Sequence, residues 1–204
     1  MQESLKQKGV EVQVDPEHGI LRLPEEILFE SGKYTLTTDG DHAVEVLAEE
    51  LALVIPCYAG KADREQPEGF DCGDHWHPGR LDTILVEGHT DSARVTLGGR
   101  ARKFEDNWEL SSLRAIETYK ALAEGEHGAR LRQEINRDGE SVIGVSAYAY
   151  HRPIPGEASA RDPSDPKNRR IDLRFVMAPP KVGSSAPVVL EKLVPSEGGQ
   201  RAGS

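Results

Sequence analysis

Val10-Glu11-Val12-Gln13-Val14 alternates apolar and polar residues, the period of a strand with one wet face. Asp15-Pro16-Glu17-His18-Gly19 supplies turn chemistry, and Ile20-Leu21-Arg22-Leu23 reads as the second arm of a hairpin. Pro24 to Phe29 predicts a short turn that tucks Ile27 and Phe29 inward, and Gly32 permits a chain reversal. From Thr38 to Val54, Val44, Leu47, Leu51 and Val54 recur at three- and four-residue spacing, which predicts an amphipathic helix. Asp39 and Asp41 suit the positive end of its dipole, and Pro56 stops it.

The apolar run Leu81 to Val86 predicts a buried strand, and Glu87-Gly88-His89-Thr90-Asp91-Ser92 then falls where that strand ends. Strand ends in open α/β sheets are the usual place for a ligand. Ser111 is suited to cap a helix whose apolar side carries Leu113, Ile116, Tyr119 and Leu122 and which ends near Gly125 or Gly128. A shorter helix, 129–137, precedes a turn at Asp138-Gly139, and Val142 to Tyr150 reads as a strand broken at His151. Arg170 to Met177 alternates strongly and predicts a last strand with Ile171, Leu173 and Phe175 facing the core. Leu97 to Lys103 is a glycine-containing, locally basic loop expected to be flexible, and Pro, Gly and Ser from Ala178 onward predict a disordered tail. Helices and strands alternate, so the expected class is α/β or α+β with a mixed sheet.

The 204 residues suffice for one domain with extensions. A net charge of -10 argues against nucleic acid and against an anionic membrane surface as partner. The longest apolar run, Leu51 to Ile55, falls far short of the roughly 20 residues that span a bilayer. Met1 to Lys6 lacks the apolar stretch of a signal peptide, so a role outside the cytoplasm calls for a segment upstream. Cys57 and Cys72 flank a polar loop too long to be core, which reads as an insertion over 56–80. A disulfide between them contributes about 3 kcal/mol by the loop-entropy model and implies an oxidising compartment. The rival readings are a zinc site with His75 and His77, though no Cys-x-x-Cys pair supports it, or two unrelated thiols.

A cation in the first turn of a helix capped by Ser111 opposes the dipole, which marks Arg114 as a receptor for a carboxylate, or else as the partner of an acid such as Asp91 or Glu117. Asp91 at a strand end can accept an ammonium group or cap a turn. His89 reads as a structural hydrogen-bonder more than as a base or metal ligand. No nucleophile turn, metalloprotease motif or phosphate loop is present, which argues against catalysis.

Three blocks occur in order: Gly88-His89-Thr90-Asp91, Asn107-x-x-Leu110-Ser111-x-x-Arg114-Ala115, and Asn168-Arg169-Arg170 before the last strand. With Leu28 to Leu36 they resemble the OmpA C-terminal-like peptidoglycan-binding family over about residues 20–177. The resemblance implies an OmpA-like sandwich, a mixed sheet with helices on one face, preceded by a linker and first strand over 1–19 and followed by the tail 178–204. It implies non-catalytic binding of the peptidoglycan stem peptide without cofactor or metal, diaminopimelate being the family's usual ligand. Asp91 is then expected to hold the ligand's ammonium and Arg114 its carboxylate, with Asn107 and Thr90 lining the site and Arg169 near its rim. The loop after Asp91 is longer than is usual, the cysteine insertion is atypical, and Ser146 to Pro153 lacks the family's common glycine and glutamate. Leu5 to Val12 and Arg170 to Phe175 are similar to MotB-type stator subunits and their ZorB variants in phage defence. That likeness implies a periplasmic, dimeric piece of an inner-membrane motor with an ion-channel partner subunit. The alternatives are an outer-membrane-to-wall tether, a metal-dependent peptidoglycan hydrolase, or a dimerisation module with a vestigial site.

Overall fold

The computed structural model describes residues 2–67, 71–93, 105–155 and 158–179. The basic loop 97–103, and the tail from residue 180 on, lie outside the described residues. Helices α1 (Gln2–Gln7), α2 (Glu25–Leu28), α3 (Thr38–Val54), α4 (Asn107–Glu124) and α5 (Gly128–Gln133) alternate with strands β1 (Gln13–Asp15), β2 (Ile20–Pro24), β3 (Leu81–His89), β4 (Ile143–Ala149) and β5 (Arg170–Met177). The sheet order is β1-β2-β5-β3-β4. β3 and β4 are parallel, and the other pairs are antiparallel. This is a mixed sheet with helices on one face, the fold class the sequence predicts.

β5 sits in the middle of the sheet, and its sequence alternates because its two faces differ: Ile171 and Leu173 join the apolar core, and Arg170, Asp172 and Arg174 join the charged rows. α3 spans the predicted residues. The Thr37 hydroxyl accepts from the Gly40 amide at 2.9 Å at its start, and Val44, Leu47, Ala48 and Leu51 fill the core. A short 3-10 turn through Pro56 follows it. Cys57 and Cys72 form a disulfide, so neither sulfur serves a zinc site.

Several local expectations are corrected. Of the alternating stretch Val10 to Val14 only Gln13 and Val14 are strand, which continues into Asp15 of the expected turn, yet Leu5, Val10 and Val12 are buried in the same core. Leu28, not Ile27, is the fully buried residue of the turn before Phe29. α4 begins at Asn107, not after Ser111, because the Asp106 carboxylate caps it by accepting from the Glu109 amide at 2.9 Å. Its inward face is accordingly Leu110, Ser111, Arg114, Ala115, Thr118 and Leu122, while Ile116 is exposed.

The face of the sheet away from the helices is not simply wet. Register places Arg22, Asp172 and Glu87 side by side across β2, β5 and β3, with Arg170 opposite His89 in the next row. All five are buried. Charges there persist because they neutralise one another.

Candidate functional site

The site is built where β3 leaves the sheet. β3 can run close under α4 only because residue 88 is glycine: a Cβ there would lie 2.0 Å from the Ser111 carbonyl oxygen. The Ser111 hydroxyl in turn accepts from the Ala149 amide at 3.2 Å. Ala149, where the strand end lacks a glycine, takes φ 49°, a left-handed conformation that non-glycine residues seldom adopt. Its carbonyl accepts from the Thr90 amide at 2.9 Å, so the strained residue fastens the start of the loop that carries Asp91.

Asp91 is held on both sides. Its Oδ1 accepts from the Ala93 amide at 3.0 Å, and its Oδ2 from Arg169 Nη1 at 2.7 Å. Asn107 Nδ2 donates to the carbonyls of Asp91 at 3.2 Å and Ala93 at 3.0 Å, pinning the loop to the start of α4. Thr90 is buried, and its hydroxyl has no hydrogen-bond partner among the described residues.

Arg114 lies about two turns into α4, so opposition to the helix dipole gives no reason for its presence. It is only 2% exposed. Its Nε donates to the Lys33 carbonyl and its Nη2 to Glu25 Oε1, both at 2.8 Å. Its guanidinium also sits 5.1 Å from the Phe29 ring centroid. Glu25 Oε2 lies 2.9 Å from Arg169 Nε but makes no hydrogen bond, so that contact is Coulombic. The four groups therefore form a chain, Asp91–Arg169–Glu25–Arg114, of alternating sign. The acid and the base anticipated as two poles do not pair with each other; one guanidinium and one carboxylate stand between them. Burial disfavours the charge on Arg169, but the hydrogen bond to Asp91 and the field of Glu25 outweigh it and raise its pKa.

A cavity of about 370 Å³ opens beside this chain, lined by Pro24, Glu25, Phe29, Ser31 and Arg169 among others. Neither Asp91 nor Arg114 lines it. Glu25 escaped the sequence reading because its partner on α4 lies 89 residues away. The available hint is a pair of glutamates, Glu25 and Glu26, opening a turn whose other residues are apolar.

The second polar cluster occupies the face of the sheet away from the helices, and its Arg22 and Arg170 also line the cavity. Asp172 accepts from Arg22 Nε at 3.0 Å and Arg170 Nε at 2.9 Å, and Glu87 Oε1 from Arg174 Nε at 2.8 Å. His89 Nε2 is 3.6 Å from Asp172 Oδ2 and 3.8 Å from Glu87 Oε2. Among the described residues neither ring nitrogen lies within hydrogen-bonding geometry of a partner, which corrects its reading as a structural hydrogen-bonder. Burial pushes the His89 pKa down, with Arg170 adding to the effect against the pull of Glu87 and Asp172. The ligating atoms of Glu87, His89 and Asp172 lie within 4.8 Å of one another, the reach of a metal site. Three arginines already exceed the two carboxylates in charge, which opposes a divalent cation there. Glu45, Glu126 and His127 form a second such group, nearer the surface.

No protein-family model and no curated protein matches the chain. Solved structures do. A MotB-like protein from Desulfovibrio vulgaris superposes with a TM-score of 0.53 at 19% identity, covering 85% of each chain. The periplasmic domain of Helicobacter pylori MotB, residues 90–256, superposes at 0.51 and 22% identity, over 88% of this chain and 87% of that one. This chain has the MotB-type, OmpA-like fold. The cell-wall anchor of the type VI secretion system from Pseudomonas aeruginosa shares the fold at 0.50 and 17% identity, over 86% of this chain and 93% of that one. Within the MotB-type fold of this chain, Asp91, Thr90, Asn107, Arg114 and Arg169 all gather at the junction of β3, α4 and the start of β5. No described helix is long and apolar enough to cross a membrane.

Proposed function

We propose that this protein is a non-catalytic cell-wall anchor that binds the stem peptide of peptidoglycan, through a residue such as diaminopimelate that offers both an ammonium and a carboxylate. The observation that carries the reading is the chain of ion pairs from Asp91 to Arg114 beside an open cavity. An acid at a strand end and an arginine on the facing helix suit the two ends of a zwitterion, each charged hydrogen bond contributing roughly 1.5–3 kcal/mol before desolvation. Asn107 holds the loop of Asp91 in place, and Thr90 offers beside it a hydroxyl that has no partner among the described residues. Weak single sites suffice on a polymer that presents many copies. The MotB-type fold supports the further reading that the domain works in the periplasm, as a homodimer, tethering an inner-membrane, ion-driven stator of flagellar or phage-defence type to the wall alongside an ion-channel partner subunit.

Sedimentation with purified sacculi tests the proposal. The wild-type chain is expected in the pellet, and Asp91→Asn, which keeps the side chain's shape and removes its charge, is expected in the supernatant. Equal retention of the two proteins rejects Asp91 as the ammonium receptor.

A further inference from the structure

We infer that the Glu25–Arg169 pair is a built-in mimic of the zwitterionic ligand, and that binding proceeds by exchange of this internal pair for the ligand. The inference rests on the wall-binding reading and names how that site is regulated. The Glu25 carboxylate sits on Arg114, where the ligand's carboxylate would sit, at 2.8 Å. The Arg169 guanidinium sits on Asp91, where the ligand's ammonium would sit, at 2.7 Å. The two mimicking groups also touch each other, at 2.9 Å.

That last contact makes the exchange charge-balanced. When a zwitterion enters, Arg114 passes from the Glu25 carboxylate to the ligand's carboxylate, and Asp91 passes from the Arg169 guanidinium to the ligand's ammonium. Glu25 and Arg169 keep one another, so no charge is stranded in a buried place. The cavity agrees with this order of events. Glu25 and Arg169 are among the residues that line it, with Arg22 and Arg170, whereas their partners Asp91 and Arg114 are not. A ligand arriving there meets the mimic first and the receptors only after displacing it. The mimic is also held unevenly: Glu25 Oε1 makes a hydrogen bond to Arg114, while Oε2 makes none among the described residues. Arg169 is the most exposed member of the chain.

The consequence is an affinity penalty set by how seldom the mimic stands aside. If the open state is populated about one time in ten, removing the mimic tightens binding about tenfold. Titration calorimetry with free diaminopimelate, and sedimentation with sacculi, are run on the wild type, Glu25→Gln, Arg169→Gln, the double variant and Asp91→Asn, with thermal melts confirming that each is folded. Glu25→Gln and the double variant are expected to bind about tenfold tighter, and Asp91→Asn not at all. Binding by the double variant alone also supports the inference, since the native site is then closed by its own pair. If the wild type binds and Asp91→Asn does not, while Glu25→Gln binds equally or more weakly, Glu25 is a supporting residue; the mimic is then overturned and the wall reading stands. Absence of binding by all five proteins overturns both.

Discussion

Replacing Arg114 with alanine should destabilise the fold far more than a surface arginine would. The side chain is 2% exposed and serves three partners: the Glu25 carboxylate, the Lys33 carbonyl and the Phe29 ring. Removing one member of a buried ion pair costs about 3–5 kcal/mol, because the other charge is left without compensation. Here Glu25 retains Arg169 at 2.9 Å, which places the loss of the pair at the lower end. The Lys33 carbonyl loses its side-chain donor, a loss of about 1–3 kcal/mol where water cannot replace it. These contributions overlap, and about 3 kcal/mol is the expected total. Against a typical stability of roughly 5–15 kcal/mol that is a large fraction. In a protein of this size it lowers the melting midpoint by roughly 6–12 °C.

Urea denaturation with the disulfide intact measures the loss directly. A double-mutant cycle with Glu25→Ala apportions it, and the two residues should show coupling because they share one ion pair. A loss below about 1 kcal/mol, or additivity within error, refutes the view of Arg114 as a buried, internally paired cation. The same arithmetic disqualifies Arg114→Ala as a probe of ligand binding, since lost binding and lost folding coincide. Asp91→Asn is the cleaner variant because Asp91 sits at a loop, not on a packed helix face.

Two other expectations are independent of the ligand. Serine at both Cys57 and Cys72 opens a loop with a sequence separation of 15, which should lower stability by about 3 kcal/mol; equal urea midpoints for variant and wild type would count against a structural role. The depressed pKa of His89 means that folding keeps the ring neutral while the unfolded chain, titrating near the ordinary value of about 6.5, takes up a proton. Its contribution is therefore complete above that value and is lost as pH falls through the window below it toward the folded pKa. Melting midpoints should drop between pH 7 and pH 5.5 in the wild type and change less in His89→Gln. Parallel slopes for the two proteins would show that His89 is not the group responsible.

The helix-facing side of the sheet and the long helix α3 are legible because what they bury there is nearly all apolar. Ile171 and Leu173 alternate, and Val44, Leu47 and Leu51 recur, so period alone locates them. α4 was harder for a physical reason. Its buried face includes Ser111, Arg114 and Thr118, residues that period counting assigns to solvent, so period alone places the inward side about one residue out of phase. Its start was misplaced because Ser111 and Asp106 are both good caps by type. The gathering of Asp91, Asn107, Arg114 and Arg169 was visible through the order of three motifs. What stands between Asp91 and Arg114 was not, since an ion pair across 89 residues leaves no local trace.

The run Asn168-Arg169-Arg170 shows how much can depend on three adjacent polar residues. Asn168 is buried and orders the preceding loop, accepting from the Ile154 amide at 3.1 Å and donating to the Ser159 carbonyl at 3.2 Å. Arg169 turns to Glu25 and Asp91. Arg170 turns instead to Asp172 and to the carbonyls of Asn168 and Arg152, joining the charged face of the sheet. Neighbouring residues in extended backbone point to opposite sides, so two consecutive arginines can serve two networks without competing. A one-residue slip of β5 that carried Arg170 into the place of Arg169 would carry Ile171 into the buried row opposite His89. The pairing of Arg170 with His89 and of Asp172 with Glu87 therefore fixes more than the sheet. It also decides which arginine reaches Asp91.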